Sequence, residues 1–328
     1  MEKLGPFRLR PWFRTRIWGA RTLTPWYDYK VVGEPIGEVW LSGEDCVVDS
    51  GPLTGKTFAA VFQEHGEALV GPEAAHAERF PLLMKVLFPH EKLSVQVHPG
   101  DAMAREQGEP HGKTECWYAL EAEPGAVVAL GLRPGTTQDE VQSAIESNTL
   151  ETLLQWVPVQ KGDMIFVDAG TVHAIGPGVI LLETQQNSDM TYRLYDYGRP
   201  RELHLDDGMK AVRLQTEAGK VEPNVEPRGT RRTNGNKTLL IQSNYFRVDR
   251  YTLATTNSSE DFAPRTQKES DFGTVQLIFV AAGSGTLQSK EAAPIPLRRG
   301  ELAVVPACVT DWSMTPTEPM EILRVIPQ

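Results

Sequence analysis

The chain has 328 residues, of which 40% are hydrophobic and 23% are charged, values typical of a globular protein with a large core. Its formal net charge of −10 argues against nucleic acid as a partner, because a phosphate backbone favours a basic surface. No apolar stretch approaches the roughly 20 residues of a membrane helix, and the N-terminal segment lacks the apolar core of a signal peptide. With three widely spaced cysteines, these features predict a cytoplasmic protein without membrane contact.

Short runs rich in Val, Ile, Leu and aromatic residues dominate the sequence, and Gly, Pro and Asp interrupt them at short intervals. This pattern is typical of an antiparallel β-sandwich or barrel. The runs that predict strands are residues 30–43, 82–88, 92–99, 114–120, 126–132, 163–170, 178–184, 275–283 and 301–307.

Helical periodicity is confined to two places. Residues 136–157 begin with Thr136 or Thr137 as a helix N-cap and then repeat apolar residues at helical spacing. They predict a small helical insertion between strands. Residues 74–85 predict a second short helix.

One segment separates two parts of the chain. Residues 215–237 are nearly free of large apolar side chains and rich in Pro, Gly, Asn and charge, which predicts a linker or exposed loop. We therefore expect a first domain over residues 1–214, with the helical insertion inside it, and a second domain over residues 238–328.

An internal repeat connects these two parts. KGDMIFVDAGTVH (161–173) aligns without gaps on RGELAVVPACVTD (299–311), and the second copy has Asp311 where the first has His173. Two hairpins could resemble each other by chance, or the chain could hold two copies of one β-sandwich. The second interpretation predicts a mostly β protein with two antiparallel sandwich halves, of which the first carries the chemistry.

Polar side chains alternate with apolar ones in two predicted strands, and a histidine follows in a predicted turn between two glycines. These polar residues are Ser94, Gln96 and His98 in LSVQVHP, Lys113 and Glu115 in GKTECWY, and His173 in GTVHAIG. Successive side chains of a strand point to opposite faces, so the polar residues of each strand share one face. A purely apolar sandwich interior would not need them, and burying them without partners would be costly.

Two imidazoles, a carboxylate and an amide oxygen would make a mixed nitrogen and oxygen metal site. Zinc accepts histidine nitrogen and carboxylate oxygen at about 2.0–2.2 Å. Two histidines and one carboxylate could equally hold Fe(II), Mn or Co. The spacing of these residues therefore indicates a divalent metal and leaves its identity open.

A third segment supplies further charge. Glu183 ends an apolar run, and Arg193 follows ten residues later with the planar fork that suits phosphate recognition. Arg199 and Arg201 are expected to pair with neighbouring aspartates. Lys85 is the one charge in the apolar run FPLLMKVLF, where it is either a strand-edge residue or a phosphate partner.

Together these segments resemble the type I mannose-6-phosphate isomerase family in its short bacterial form. LSVQVHP, GKTECWY, GTVHAIG and LETQQNSDMTYRLYDYGR occur in the family's order and near its spacing. The resemblance covers residues 1–210 well and the rest of the chain loosely. It implies two cupin-type jelly-roll sandwiches, of which the second lacks a metal site. Asp168 stands where the family usually has Pro, a departure that affects the turn before His173 and changes no ligand.

The same resemblance implies residue roles. It implies one zinc ion per chain, with other divalent metals possible, and as its ligands Gln96, His98, Glu115 and His173. It implies a catalytic role for Arg193, pocket-lining roles for Lys113 and Glu183, and substrate-binding roles for Ser94 and Lys85.

The resemblance thus implies a metal-dependent isomerase that interconverts mannose 6-phosphate and fructose 6-phosphate, with a small sugar phosphate as its partner. In this hypothesis Glu183 carries the proton between C1 and C2, Lys113 stabilises the developing oxyanion, and Arg193 holds the phosphate or the polarised oxygens. An Fe(II)-dependent cupin oxygenase and a non-catalytic sugar-phosphate-binding cupin remain as alternatives. The oligomeric state is open, since a monomer and a homodimer fit the sequence equally well.

Overall fold

Four antiparallel sheets carry the fold in the computed structural model, which describes residues 4–223, 235–255 and 273–328. Within these ranges the strands are β1 (Phe7–Leu9), β2 (Trp12–Ala20), β3 (Ile36–Trp40), β4 (Leu82–Leu87), β5 (Val95–Val97), β6 (Glu115–Ala122), β7 (Val127–Leu132), β8 (Leu154–Pro158), β9 (Met164–Val167), β10 (His173–Ile175), β11 (Val179–Gln186), β12 (Tyr192–Tyr195), β13 (Gly219–Val221), β14 (Gly235–Gln242), β15 (Phe246–Leu253), β16 (Gln276–Ala282), β17 (Ser284–Ser289), β18 (Ile295–Arg298), β19 (Leu302–Val305), β20 (Trp312–Pro316) and β21 (Met320–Pro327). The helices of the same ranges are α1 (Phe58–Val70), α2 (Asp101–Glu106), α3 (Gln138–Glu146) and α4 (Leu205–Ala211), and a 3₁₀ helix spans Leu150–Leu153. The predicted mostly β, antiparallel fold is confirmed.

The sheets pair into two sandwiches. In the first sandwich a seven-stranded sheet, ordered β13-β9-β6-β11-β4-β3-β2, packs on a five-stranded sheet, ordered β12-β5-β10-β7-β8. In the second sandwich a six-stranded sheet, ordered β1-β19-β16-β21-β15-β14, packs on a three-stranded sheet, ordered β18-β17-β20.

The two sandwiches lie back to back across a shared core. On the seven-stranded sheet, Met84, Tyr118 and Leu182 point away from the first sandwich's interior and into this core. From the other side, Leu277 and Phe279 of the six-stranded sheet fill it. Because side chains alternate along a strand, each of these two sheets is buried on both faces. The second sandwich therefore covers one face of the first.

The helical insertion was predicted correctly at its start and wrongly at its end. Thr137 caps α3 in a capping box with Glu140, and α3 buries Val141 and Ile145 against the outer face of the five-stranded sheet. The helix ends at Glu146, and the rest of the predicted stretch forms the 3₁₀ helix and β8.

The second predicted helix, over residues 74–85, is wrong. Residues 74–81 form turns, bends and irregular backbone, and β4 begins at Leu82, which confirms the strand predicted over residues 82–88. All six residues of β4 are buried. Such a continuous apolar run shows neither strand alternation nor helical spacing, so its pattern alone does not separate a strand from a helix.

The internal repeat corresponds to equivalent strands. The interval of 138 residues that aligns the two copies also carries β9 onto β19. The turns before these strands match as well. Asp163 accepts a hydrogen bond from the backbone N–H of Gln160 at 2.7 Å, and Glu301 accepts one from the N–H of Arg298 at 3.0 Å. The repeat therefore reflects two copies of one turn and strand.

The predicted domain boundaries stay a prediction, although two strands bear on them. β13 lies inside the predicted linker and pairs with β9, whereas residues 224–234 of that linker lie outside the described residues. At the other end, β1 pairs with β19 and so adds an N-terminal strand to the second sandwich. Among the described residues, no helix combines the length and the apolar character that crossing a membrane requires.

Candidate metal centre

Three neighbouring strands of the five-stranded sheet bring predicted site residues into one row. In the antiparallel pairing, Gln96 of β5 stands opposite His173 of β10 on one side and opposite Arg193 of β12 on the other. Residues directly opposite each other point to the same face, about 5 Å apart. His173 is thus the first residue of a strand, whereas the sequence placed it in a turn.

His98, Glu115 and His173 converge inside the first sandwich. Their ligand atoms all lie within 4.8 Å of one another, and the three residues are almost completely buried. The Nε2 atoms of His98 and His173 lie 3.5 Å and 3.6 Å from the two carboxylate oxygens of Glu115. Ligands at about 2.0–2.2 Å from a tetrahedral zinc ion are themselves about 3.3–3.6 Å apart. These separations therefore fit ligands of one cation.

The protonation of both histidines suits metal binding. Nδ1 of His98 donates to the carbonyl of Met190, and Nδ1 of His173 donates to the carbonyl of Thr171, each at 2.9 Å. A carbonyl only accepts, so each Nδ1 carries the proton and each Nε2 presents a lone pair to the cluster. Burial lowers the pKa of His173 to about 4 and the pKa of His98 well below its usual value. Both imidazoles are therefore neutral, the form that binds a metal.

Gln96 lies beside the cluster, and its side-chain amide contacts both His173 and Ser94. Its Nε2 is 3.2 Å from Nε2 of His173, and its Oε1 accepts a hydrogen bond from the hydroxyl of Ser94 at 3.3 Å. A half-turn of the amide would exchange its oxygen and nitrogen, and the Ser94 hydroxyl can accept as well as donate. Ser94 can therefore support the orientation in which the amide oxygen faces the cluster.

Two buried lysines and two carboxylates surround the histidines. Lys113 contacts the carboxylate of Glu115, donates to Nε2 of His98 at 2.9 Å and lies 3.7 Å from Glu183. Lys85 lies 3.5 Å from the same Glu183. Burial by itself would lower the pKa of Lys113, but the carboxylates of Glu115 and Glu183 outweigh it and raise that pKa. Lys113 is therefore a charged donor at the centre of the site.

Glu183 occupies a different electrostatic position. Burial raises its pKa, the positive charge of Lys113 lowers it, and the nearby Glu115 raises it again, with a net upward shift. A carboxyl group whose pKa is raised toward neutrality can both take up and release a proton during a reaction.

Of the three arginines in the third segment, Arg193 is the one on the cluster's side of the sheet. Its guanidinium donates to the carbonyl of Glu202 at 2.6 Å, while its Nε is buried without a hydrogen-bond partner among the described residues. Arg199 and Arg201 both bind the buried carboxylate of Asp196, as the sequence predicted for them.

Sequence reasoning missed two partners of Lys85. Its ammonium lies 4.9 Å from the ring centroid of Trp40, a cation–π contact, and 3.5 Å from the carboxylate of Asp189. Trp40, Lys85 and Glu183 stand opposite one another on β3, β4 and β11. The sequence does show that Glu38 and Trp40 share one face of β3, because they are two residues apart. Placing that face beside Lys85 requires the order of the strands in the sheet.

The second sandwich carries different residues at the equivalent positions. Glu115 stands opposite Val167 of β9, and Gln276 stands opposite Val305 of β19. Asp311, which replaces the repeat's histidine, is exposed and pairs with Lys290 at 3.0 Å. Of the described residues, those of the second sandwich contribute nothing to the metal-ligating group found in the chain.

The ion pair of Lys85 and Glu183 has an equivalent in the second sandwich, in which the acidic and basic residues have exchanged strands. Lys85 of β4 stands opposite Glu183 of β11, and Asp249 of β15 stands opposite Arg324 of β21. Arg324 donates to Asp249 at 2.6 Å, and both residues are buried. The duplicated sheet thus keeps an ion pair at this point.

The double sandwich and the His-Glu-His group, the one such group among the described residues, define a cupin-type protein with a candidate metal centre. The family model for the catalytic domain of type I phosphomannose isomerase matches residues 6–133. The mannose-6-phosphate isomerase ManA of Bacillus subtilis is 35% identical over 317 residues, which cover 92% of this chain and 93% of ManA. The mannose-6-phosphate isomerase of Streptococcus mutans is 32% identical, with 94% of each chain covered.

A solved structure agrees with these relatives. The crystal structure of the mannose 6-phosphate isomerase from Bacillus subtilis superposes with a TM-score of 0.85 at 30% identity, covering 98% of this chain and 99% of that chain. The chain belongs to the type I mannose-6-phosphate isomerase family. The predicted family and its cupin fold are thereby confirmed.

Proposed function

We propose that the protein interconverts mannose 6-phosphate and fructose 6-phosphate with the help of one divalent metal ion, zinc in the first place. The proposal extends to this chain the activity for which its relatives are named. The observation that carries it is the buried group of His98, Glu115 and His173, in which both imidazoles are neutral and turn Nε2 toward one carboxylate.

The donor set fits the proposed metal. His98, Glu115 and His173 would hold it, with Gln96 as a fourth ligand through its amide oxygen, and two nitrogens with oxygen ligands suit zinc. A bound divalent ion supplies Lewis acidity toward the sugar oxygens and a template that orients them.

The surrounding residues would move the proton and bind the substrate. Glu183 takes the proton from C2 of the aldose and returns it to C1 of the enediolate, while the proton of the C2 hydroxyl passes to O1, which yields the ketose; the reverse reaction uses the same steps. Its raised pKa supports this role. The charged Lys113, 3.7 Å from Glu183, stabilises the negative oxygen of the enediolate.

Three further residues complete the substrate site in this proposal. Arg193 binds the phosphate or the polarised oxygens, because its buried Nε has no partner among the described residues and its fork suits a phosphate. Lys85 adds a buried positive charge beside Glu183. Ser94 contributes through the amide of Gln96 and through its own hydroxyl.

Removing the metal is the experiment that tests this function. The untreated protein should convert mannose 6-phosphate in an assay coupled to fructose 6-phosphate consumption. Dialysis against a chelator should abolish the conversion, and Zn²⁺ should restore it, because the bound metal ion supplies the Lewis acidity that polarises the sugar oxygens. A sample dialysed without chelator is the control. Full turnover by protein shown to be metal-free by elemental analysis would contradict the proposal.

A further inference from the structure

Asp101, three residues after His98, collects hydrogen bonds from three parts of the chain. Its Oδ1 accepts from the backbone N–H of Gly112 at 2.8 Å and from the side-chain amide of Gln186 at 2.9 Å. Its Oδ2 accepts from the hydroxyl of Tyr245 at 3.0 Å. Tyr245 lies between β14 and β15, so this third bond comes from the second sandwich.

The first two bonds lead to the ligand segment, residues 112–115, which carries Lys113 and Glu115. One bond reaches it directly and the other through Gln186. Gly112 precedes Lys113, and Oε1 of Gln186 accepts a hydrogen bond from the backbone N–H of Thr114 at 2.9 Å. Asp101 therefore holds this segment on both sides of Lys113. The backbones also touch here, since a Cβ on Gly112 would lie 2.6 Å from the carbonyl oxygen of Pro99.

The bond from Tyr245 crosses a gap between the two sandwiches. Asp101, Thr114 and Tyr245 all line a cavity of about 630 Å³. The Tyr245 ring packs against the shared core, which fixes its direction, while its hydroxyl reaches Asp101. Beside this cavity, the second sandwich is connected to the ligand segment by the hydrogen bond from Tyr245 to Asp101 and not by close packing.

We infer that Tyr245 is a positioning residue for the metal centre, through which the second sandwich holds the segments that follow His98 and precede Glu115. The inference rests on the proposed function, because it concerns the site at which the metal would bind. It gives the second sandwich a role in the chemistry besides covering the first. Without the Tyr245 bond, Oδ2 of Asp101 has lost its donor and only Oδ1 is held, so the carboxylate can rotate more freely. The ligand segment, which Asp101 holds, then becomes more mobile.

The test replaces single hydroxyl groups in the full chain. Tyr245→Phe removes the bond to Asp101, and Tyr118→Phe is the matched control. Tyr118 lies on β6 with Glu115 but on its opposite face, and its hydroxyl donates to Glu321 of the second sandwich at 2.9 Å. Each substitution removes one hydroxyl that bonds to the other sandwich, and the Tyr118 hydroxyl bonds to Arg250 as well as to Glu321, so a purely structural effect should be at least as large in Tyr118→Phe as in Tyr245→Phe.

Co²⁺ is the probe, because its visible absorption bands report the arrangement of its ligands. Losing a group that directly orients a ligand costs about 10–100-fold in metal affinity or activity, and Tyr245 acts one step further away. We expect Tyr245→Phe to raise the Co²⁺ dissociation constant about 3–10-fold, to shift the absorption bands, and to lower kcat with little change in KM. Tyr118→Phe should leave all three unchanged.

Equal Co²⁺ affinity and identical spectra in Tyr245→Phe and the wild-type protein would overturn the inference, as would equal changes in both variants. Asp101→Asn provides a second reading, since it replaces an accepting oxygen by a donor and should disturb the spectrum more than Tyr245→Phe. If the wild-type protein neither binds Co²⁺ nor turns over mannose 6-phosphate, the proposed function fails and the inference falls with it. If the wild type does both and Tyr245→Phe matches it, the inference alone fails.

Discussion

Glu115→Gln is expected to lose the bound metal and to lower kcat/KM more than about 100-fold. Removing a residue that only orients a metal ligand costs up to about 100-fold, and Glu115 is itself a proposed ligand. The side chain is buried and faces Nε2 of both His98 and His173 at 3.5–3.6 Å. It also accepts a hydrogen bond from the indole of Trp117 at 3.1 Å, which fixes its plane. A glutamine keeps this shape but loses the negative charge that a divalent cation and Lys113 both require.

Metal content by elemental analysis and the coupled assay measure this effect, and circular dichroism verifies that the variant is folded. The matched control is Glu121→Gln, the same change on the same strand, where the carboxylate pairs with Lys161 at 3.0 Å in an exposed position. An exposed pair of this kind contributes little, so the control should retain metal and activity. Normal metal content and turnover in Glu115→Gln would remove Glu115 from the site.

Glu183→Gln is expected to stop proton transfer while the metal stays bound. Glu183 is outside the His-Glu-His group, yet it lies 3.5 Å from Lys85 and 3.7 Å from Lys113. An amide cannot accept the C2 proton, and positioned proton transfer contributes about 10²–10⁴-fold to a rate. We expect kcat to fall by that factor, with deuterium from D₂O no longer entering the sugar phosphate at C1 or C2.

Nuclear magnetic resonance of the sugar phosphate in D₂O follows this exchange, and elemental analysis follows the metal in the same preparation. Glu121→Gln again serves as the control for the substitution itself. Exchange at the wild-type rate in Glu183→Gln would assign the proton to another group. Loss of metal in that variant would instead mean that Glu183 supports the cluster.

The side on which each site residue lies could be read from the sequence. Strand alternation placed Gln96 and His98 on one face and Glu115 with Lys113 on another, and the structure turns both faces into the first sandwich. Their convergence could not be read in this way. It depends on which strands become neighbours, and that information came from the family resemblance and not from local pattern.

Several elements were predicted ambiguously, wrongly or not at all. The apolar run of β4 was predicted both as a strand over residues 82–88, which is confirmed, and as the end of a helix over residues 74–85, because a run buried on both faces lacks the alternation that marks a strand. Helix α1 was not predicted at all, and Gly66 with positive φ interrupts its helical backbone. His173 was assigned to a turn because glycines flank it, whereas its pairing with Gln96 makes it a strand residue.

Contacts between distant segments were the hardest to foresee. Asp189 and Trp40 reach Lys85 from a loop and from another strand, and Tyr245 reaches Asp101 from the second sandwich. None of these residues stands out in its own segment. Their roles depend on strand order and on the packing of the two sandwiches, which a single sequence does not display.

Crystals of the metal-loaded protein, measured at the zinc absorption edge, would test the central claim most directly. We predict one anomalous peak per chain inside the first sandwich, about 2.0–2.2 Å from Nε2 of His98, Nε2 of His173 and a carboxylate oxygen of Glu115. A zinc ion bound elsewhere, with these three side chains left bonded only to one another and to Lys113, would contradict the account.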